Sequence, residues 1–296
     1  MFSPQPIKVK KPDVVSEMPQ RLRKNMASDW GNANFNGKRL DAFLEGPCFD
    51  SEGNLYLVDI PFGRILSYDR NGNWDVLAEY QGWPNGMKVV DGQRLVISDY
   101  RLGLVEISLS DKSIRILVDS YRSEGLLGPN DLTLAANGDI YFTDQGQSGW
   151  QNPNGRVFHY SKSGRLNLLL GGMPSPNGLV LNENENVLFV AMTRGNSIWR
   201  LPLLNDGGVS KVGTYIQLSG GIGPDGITCD GKGGLIVAHP GVGVWRFDES
   251  GLPTHLWKGG PHCYFTNIAA HPLFKNTFFI TDSKKAIILK IYLDID

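Results

Sequence analysis

The chain has 296 residues, 41% hydrophobic and 20% charged, with a formal net charge of −1. That composition suits a soluble globular protein with a sizeable core and offers no basic field for nucleic acid or a membrane surface. The 36 glycines and 17 prolines fit an all-β chain with many tight turns better than a helical one. Cys48, Cys229 and Cys263 are odd in number and widely spaced, which is neither a disulfide framework nor a zinc motif. The first 30 residues hold no apolar core of signal-peptide length, and no run approaches the apolar length of a membrane helix. A cytoplasmic location is expected.

In chain order, residues 1–24 are basic and polar and read as a loosely held arm. Six copies of one unit follow. Glu45-Gly46-Pro47 leads to LYLVD, Asn85-Gly86-Met87 to RLVISD, and Asn130-Asp131-Leu132 to DIYFTD. Asn177-Gly178-Leu179 leads to VLFVA, Asp225-Gly226-Ile227 to GLIVAH, and Asn267-Ile268-Ala269 to TFFITD. The anchors lie 40, 45, 47, 48 and 42 residues apart. Fourteen residues after the first five stand Asp59, Asp99, Asp144, Ala191 and His239, and Asp282 follows the sixth at fifteen. A short strand, a Gly/Asn turn and a β-rich strand open each unit. Third strands such as RILSYD and fourth strands such as WDVLAEY complete it. Repeats of this length built from four antiparallel strands are propeller blades. The expected fold is an all-β, six-bladed β-propeller, with residues 41–296 as one domain. The last unit stops at its third strand, AIILKIYLDID. Residues 1–40 are therefore expected to supply a strand that closes the ring and removes a sheet edge.

Inner strands line the central channel of a propeller, so anchors in one register converge at one mouth. Glu45, Asn85, Asn130, Asn177, Asp225 and Asn267 all carry side-chain oxygens, and histidine and cysteine are absent among them. Such a ring suits a hard divalent cation rather than a dedicated zinc or copper site. Turn chemistry competes as an explanation, because Asn-Gly and Asp-Gly are common turn dipeptides and four anchors follow Pro84, Pro129, Pro176 and Pro224. Glu45, a poor turn residue in the same register, argues for the ion. Trp83, Tyr100, Gln145, Trp150, Arg194, His239 and Tyr264 are expected around the mouth.

The segments FLEGPCFDSEGNLYLVD, WPNGMKVVDGQRLVISD, GPNDLTLAANGDIYFTD, SPNGLVLNENENVLFVA and GPDGITCDGKGGL together resemble the senescence marker protein, gluconolactonase and luciferin-regenerating enzyme family of six-bladed propellers. The resemblance spans roughly residues 40–293. It implies one divalent cation, calcium first with Mg²⁺, Mn²⁺ or Zn²⁺ as alternatives, held by Glu45, Asn130, Asn177 and Asp225. Asn85 and Asn267 would stand behind these. The resemblance also implies a lactonase acting on a small lactone or ester, as a monomer or small homo-oligomer. One position departs from the pattern: family members that hydrolyse sugar lactones carry arginine two residues before the blade-three asparagine, where this chain has Gly128.

The implied chemistry is polarisation of an ester carbonyl by the cation and attack by a positioned water, with Asp225 as general base. Asp144 is expected behind the site. His239 is read as a packed residue before a catalytic one. A propeller that only binds a ligand or protein, and a metal-dependent phosphotriesterase on the same site, are the competing functions.

Overall fold

The computed structural model describes residues 6–294. The first four blades are four-stranded antiparallel sheets. Blade one comprises Leu44–Phe49, Leu55–Asp59, Arg64–Tyr68 and Trp74–Glu79. Blade two comprises Pro84–Val90, Arg94–Asp99, Gly103–Ser108 and Ile114–Val118. Blade three runs from Pro129–Leu134 out to Leu166–Met173, and blade four from Pro176–Leu181 out to Gly213–Gln217. Blade five begins at Ile227–Cys229 and blade six at Phe265–Ala270.

The burial of each strand follows from its place in the wheel. Second strands are sandwiched between neighbouring blades, so Val187–Met192 is buried along its whole length. Outer strands face solvent, and Ile114–Val118 has three exposed residues. The apolar core is divided among the interfaces between blades. Ile65 and Val58 of blade one pack with Ile97 and Val105 of blade two. Leu104 of blade two meets Phe142 and Phe158 of blade three, and Ile198 of blade four meets Val237 and Phe247 of blade five. Each such side chain contributes about 1.5–3 kcal/mol by leaving water, so the interfaces hold the ring together cooperatively.

Ring closure is more extensive than a single strand. Asp13–Glu17 pairs antiparallel with Ile287–Tyr292, the third strand of blade six, with Asp13 opposite Lys290. Just before it, Lys8–Lys10 adds a fifth strand to blade five, parallel to Pro253–Lys258. From residue 8 to residue 17 the basic stretch expected as a loosely held arm is therefore seated on two blades, while residues 1–5 lie outside the described residues. Its return toward blade one is seated too: Arg23 Nη2 donates to Lys285 O at 3.0 Å, and Arg64 Nη1 donates to Leu22 O at 2.9 Å. A short helix, Asp29–Phe35, capped by Ser28 Oγ accepting from Gly31 N, then leads to the first inner strand. The three cysteines are free, Cys48 and Cys263 buried and Cys229 half-buried. Among the described residues no helix is long and apolar enough to cross a membrane.

Candidate active site

Each anchor sits where its inner strand departs from a regular ladder. Pairing slips by one residue between Glu45 and Cys48, Pro84 and Met87, Pro129 and Leu132, Pro176 and Leu179, and Phe265 and Asn267. In blade five the ladder starts only at Ile227. Bulges of this kind re-aim side chains, and here they do so at one end of the channel. The glycine after most anchors has a steric cause. A Cβ on Gly46 would lie 2.1 Å from Asn85 O, and one on Gly178 2.4 Å from Asp225 O. Neighbouring inner strands pass too closely there for any side chain.

Glu45, Asn130, Asn177 and Asp225, from four different blades, line one inner cavity of about 160 Å³, and Asn85 joins them. An outer lobe of about 500 Å³ opens above Asn177 and Asp225 and is lined by Gln145, Trp150, Arg194 and Tyr264. Gln145, Asn177, Asp225 and Tyr264 line both lobes. Trp83 and Tyr100 form part of the aromatic side of the inner cavity. Trp150 is 69% exposed at the rim.

The amides are oriented by their neighbours. Asn130 Nδ2 donates to Gln145 Oε1 at 2.8 Å, and Gln145 Nε2 donates to Ser175 Oγ at 2.9 Å. Asn177 Nδ2 donates to Thr193 Oγ1 at 3.2 Å, and that hydroxyl donates to Pro224 O at 2.8 Å. Both Nδ2 groups are thus engaged, and among the described residues no protein donor bonds either Oδ1. Glu45 Oε2 accepts from Gly46 N at 2.7 Å and from Asn267 Nδ2 at 3.0 Å. Asn267 is thus a buried buttress behind Glu45, outside the linings of both lobes.

The same Asn267 Nδ2 lies 3.3 Å from Asp131 Oδ2. Asp131 is a further carboxylate of the site, buried like Glu45, and follows Asn130 directly in the chain. Its signal was present in outline: Asp131 fills the slot that Gly46, Gly86, Gly178 and Gly226 fill in other blades. Burial pushes the Glu45 carboxyl up to about 7, with a further rise from Asp131, against hydrogen bonds from Thr266, Gly46 and Asn267. Burial, then Glu45 and Asp131, drive Asp225 well above the ordinary carboxylate range, partly offset by Asn177 and Arg194. Burial also raises Asp131, with Lys88 opposing. Buried Glu45 and Asp131 and half-buried Asp225, which resist ionising together, form an environment that a cation would relieve. Among the described residues no three of His, Cys, Asp and Glu gather as a metal-binding group. The candidate set is two carboxylates and two amide oxygens, a donor chemistry that fits a hard cation.

Asp144 and His239 stand outside the linings of both lobes. Asp144 is fully buried with both oxygens engaged, Oδ1 by Gly128 N at 2.8 Å and Oδ2 by Arg156 Nε at 2.8 Å. It braces the entrance to blade three. Asp59 does the same for blade one through Phe43 N and Arg64. His239 is fully buried, with Nδ1 accepting from Trp245 Nε1 at 3.3 Å and Nε2 at 3.0 Å from Gly220 O. Those partners specify a neutral ring protonated at Nε2, and burial lowers its pKa. It is a packed residue and does not line the pocket. The helix Asp29–Phe35 contributes Trp30 and Asn34 to the cavity wall. With seven residues, and Gly31 among them, it left no periodic signal in the sequence.

Gly128 has φ +144°, and a Cβ there would lie 2.4 Å from Tyr100 Cε2. The Tyr100 ring, whose hydroxyl accepts from Gln147 Nε2 at 2.8 Å, occupies the space a side chain at 128 would need.

A channel-mouth pocket lined by oxygen-bearing side chains from several blades of a six-bladed wheel defines a class of propeller with a built pocket at one end of its axis. Within that class, the chain belongs to the SMP-30/gluconolactonase/LRE-like family, whose sequence model matches residues 43–284. It is 30% identical over 251 residues to a gluconolactonase of Zymomonas mobilis, covering 73% of this chain and 70% of that protein. It is 27% identical over 223 residues to the lactonase drp35 of Staphylococcus aureus, covering 71% of this chain and 68% of that protein. The fold matches that of a Xanthomonas campestris gluconolactonase with a TM-score of 0.76 at 23% identity, over 99% of this chain and 100% of that one.

Proposed function

We propose that this protein is a divalent-cation-dependent lactonase that opens a small cyclic ester in the two-lobed pocket. One observation carries the reading. Side chains from four blades meet in a single cavity, where the carboxylates of Glu45 and Asp225 stand beside the amides of Asn130 and Asn177, and the buried Asp131 adds its charge from behind. Family membership and the two lactonase relatives support the same reaction class.

Glu45, Asn130, Asn177 and Asp225 would hold the cation, with calcium favoured by the all-oxygen donor set. When bound, it supplies Lewis acidity toward an ester carbonyl. Asp225 accepts a proton from the attacking water at its carboxylate, and the hydrogen bond from Asn177 holds that carboxylate in place. Gln145 keeps the Asn130 amide from rotating. Trp30, Trp83, Tyr100 and Tyr264 shield one side of the floor from bulk water. The Tyr100 ring over Gly128 leaves no room for an arginine there, which turns the reading away from gluconolactone-type sugar lactones.

Asp225→Asn tests the assignment. Hydrolysis across a panel of lactones, aryl esters and organophosphates, assayed with Ca²⁺, Mg²⁺, Mn²⁺ and Zn²⁺, should fall by about 10²-fold or more with the circular dichroism spectrum unchanged. Undiminished turnover in Asp225→Asn removes it as base, and activity that survives chelation removes the cation. A preference for organophosphates over every lactone would replace the reaction class.

A further inference from the structure

Charge in the pocket is distributed unevenly. The floor is acidic, and the outer lobe presents uncharged donors and acceptors, among them Asn34, Gln147, Ser148 and Ser175. Among the described residues lining either lobe, Arg194 is the one lysine or arginine. Its side chain is exposed, and no protein hydrogen bond or ion pair engages it among the described residues, although it lies close enough to Asp225 to act on it electrostatically.

The backbone beneath Arg194 is firmly held. Thr193 bonds Asn177 and Pro224 through its hydroxyl. Asn196 turns back with φ 45°, its N–H donating to Thr193 O at 3.2 Å and its Nδ2 to Gly220 O at 3.0 Å. Asn196 O accepts from Leu218 N at 2.8 Å and from Gln217 Nε2 at 2.9 Å. A close approach fixes the loop opposite, since a Cβ on Gly223 would lie 1.9 Å from Thr193 O. A planar guanidinium therefore stands on a rigid turn, next to the proposed base, with its donors unspent.

We infer that Arg194 is a specificity-determining residue that binds a carboxylate on the substrate, so that the natural lactone is itself an acid and opens to a hydroxy-dicarboxylate. The inference rests on the lactonase reading and deepens it. A guanidinium offers two parallel N–H donors that match a carboxylate, and the amides and hydroxyls around it can bond the remaining oxygens. The acidic floor would repel an anion that lacked such a partner, so the arginine selects where the charged end of the molecule lies. The ester end is then left toward Asn177 and Asp225.

The experiment compares 5-oxotetrahydrofuran-2-carboxylate with its methyl ester, which share one lactone ring, in the wild type, Arg194→Gln and Arg194→Lys, all with Ca²⁺. The acid should be preferred in the wild type. On Arg194→Gln its kcat/KM should fall about 30-fold further than that of the ester, a change expected mostly in KM, as fits loss of a charge-assisted pair. Arg194→Lys should recover part of the loss. Equal losses on both substrates, or a wild type that favours the ester, overturns the inference, because Arg194 then acts only through Asp225. Calorimetric titration with 2-hydroxyglutarate separates the two readings. Binding to the wild type that weakens at least tenfold in Arg194→Gln supports the carboxylate site even if neither lactone is hydrolysed, whereas that absence of hydrolysis sinks the lactonase reading. Hydrolysis of the acid without any Arg194-dependent binding overturns the inference and leaves the lactonase reading standing.

Discussion

Glu45→Gln should make the cation-free protein more stable while destroying its affinity for the cation. In the cation-free fold the Glu45 carboxyl is pushed from 4.5 to about 7, chiefly by burial. The folded state thus keeps a proton that the unfolded chain has released, so stability falls as pH rises from 4.5 through 7 and is level above that. At about 1.4 kcal/mol per pH unit, the loss from this one group is about 3 kcal/mol. Glutamine retains an oxygen to accept from Gly46 N or Asn267 Nδ2, the two donors that Glu45 Oε2 now serves, and it does not titrate. Urea unfolding followed by circular dichroism in EDTA should show Glu45→Gln more stable than wild type by about 3 kcal/mol at pH 8, and by less than about 1 kcal/mol at pH 5. Added Ca²⁺ should raise the wild-type midpoint at pH 8 and leave the variant where it was. A variant no more stable than wild type at pH 8, or an equal gap at both pH values, would refute the claim that an uncompensated charge is stored at the channel mouth.

Two further substitutions probe the scaffold around the site. Gly128→Ala places a methyl 2.4 Å from the Tyr100 ring at a φ of +144°. It should cost about 1–3 kcal/mol, measured as a lower urea midpoint, and a loss below about 0.5 kcal/mol would show that Tyr100 moves freely. Asp144→Asn strips the charge from a buried pair with Arg156 and should cost about 3 kcal/mol, with kcat on the best lactone held within about threefold. A large fall in kcat at unchanged stability would return Asp144 to the catalytic site.

The wheel was legible in the sequence because its sterics repeat. A glycine is demanded wherever one inner strand brushes the next, and Gly46, Gly86, Gly178 and Gly226 meet a neighbouring blade within 2.4 Å of where a Cβ would stand. The same regularity made Glu45, Asn130, Asn177 and Asp225 visible as residues of one mouth. It left the roles of His239 and Asp144 open, since register fixes the height of a residue along a blade while its partners decide what it does. Trp245 and Gly220 claim one, and Gly128 and Arg156 claim the other. Asp131 was hard to read because it stands where the equivalent position in four other blades is glycine. The N-terminal strands could be foreseen only as a missing partner: nothing in Lys8–Lys10 announces parallel pairing with blade five, which depends on the path the chain takes after crossing to it.

That path bears on how the chain is made. Asp13–Glu17 leaves the ribosome before all six blades, yet its hydrogen-bonding partner Ile287–Tyr292 follows five of them. Throughout synthesis the closing strand must wait as an unpaired edge while the blades between form in turn, each covering only one face of the next. Such an order makes the final step a long-range and slow one. It also places the risk of strand exchange between two nascent copies on blades five and six, the two that the N-terminal strands complete.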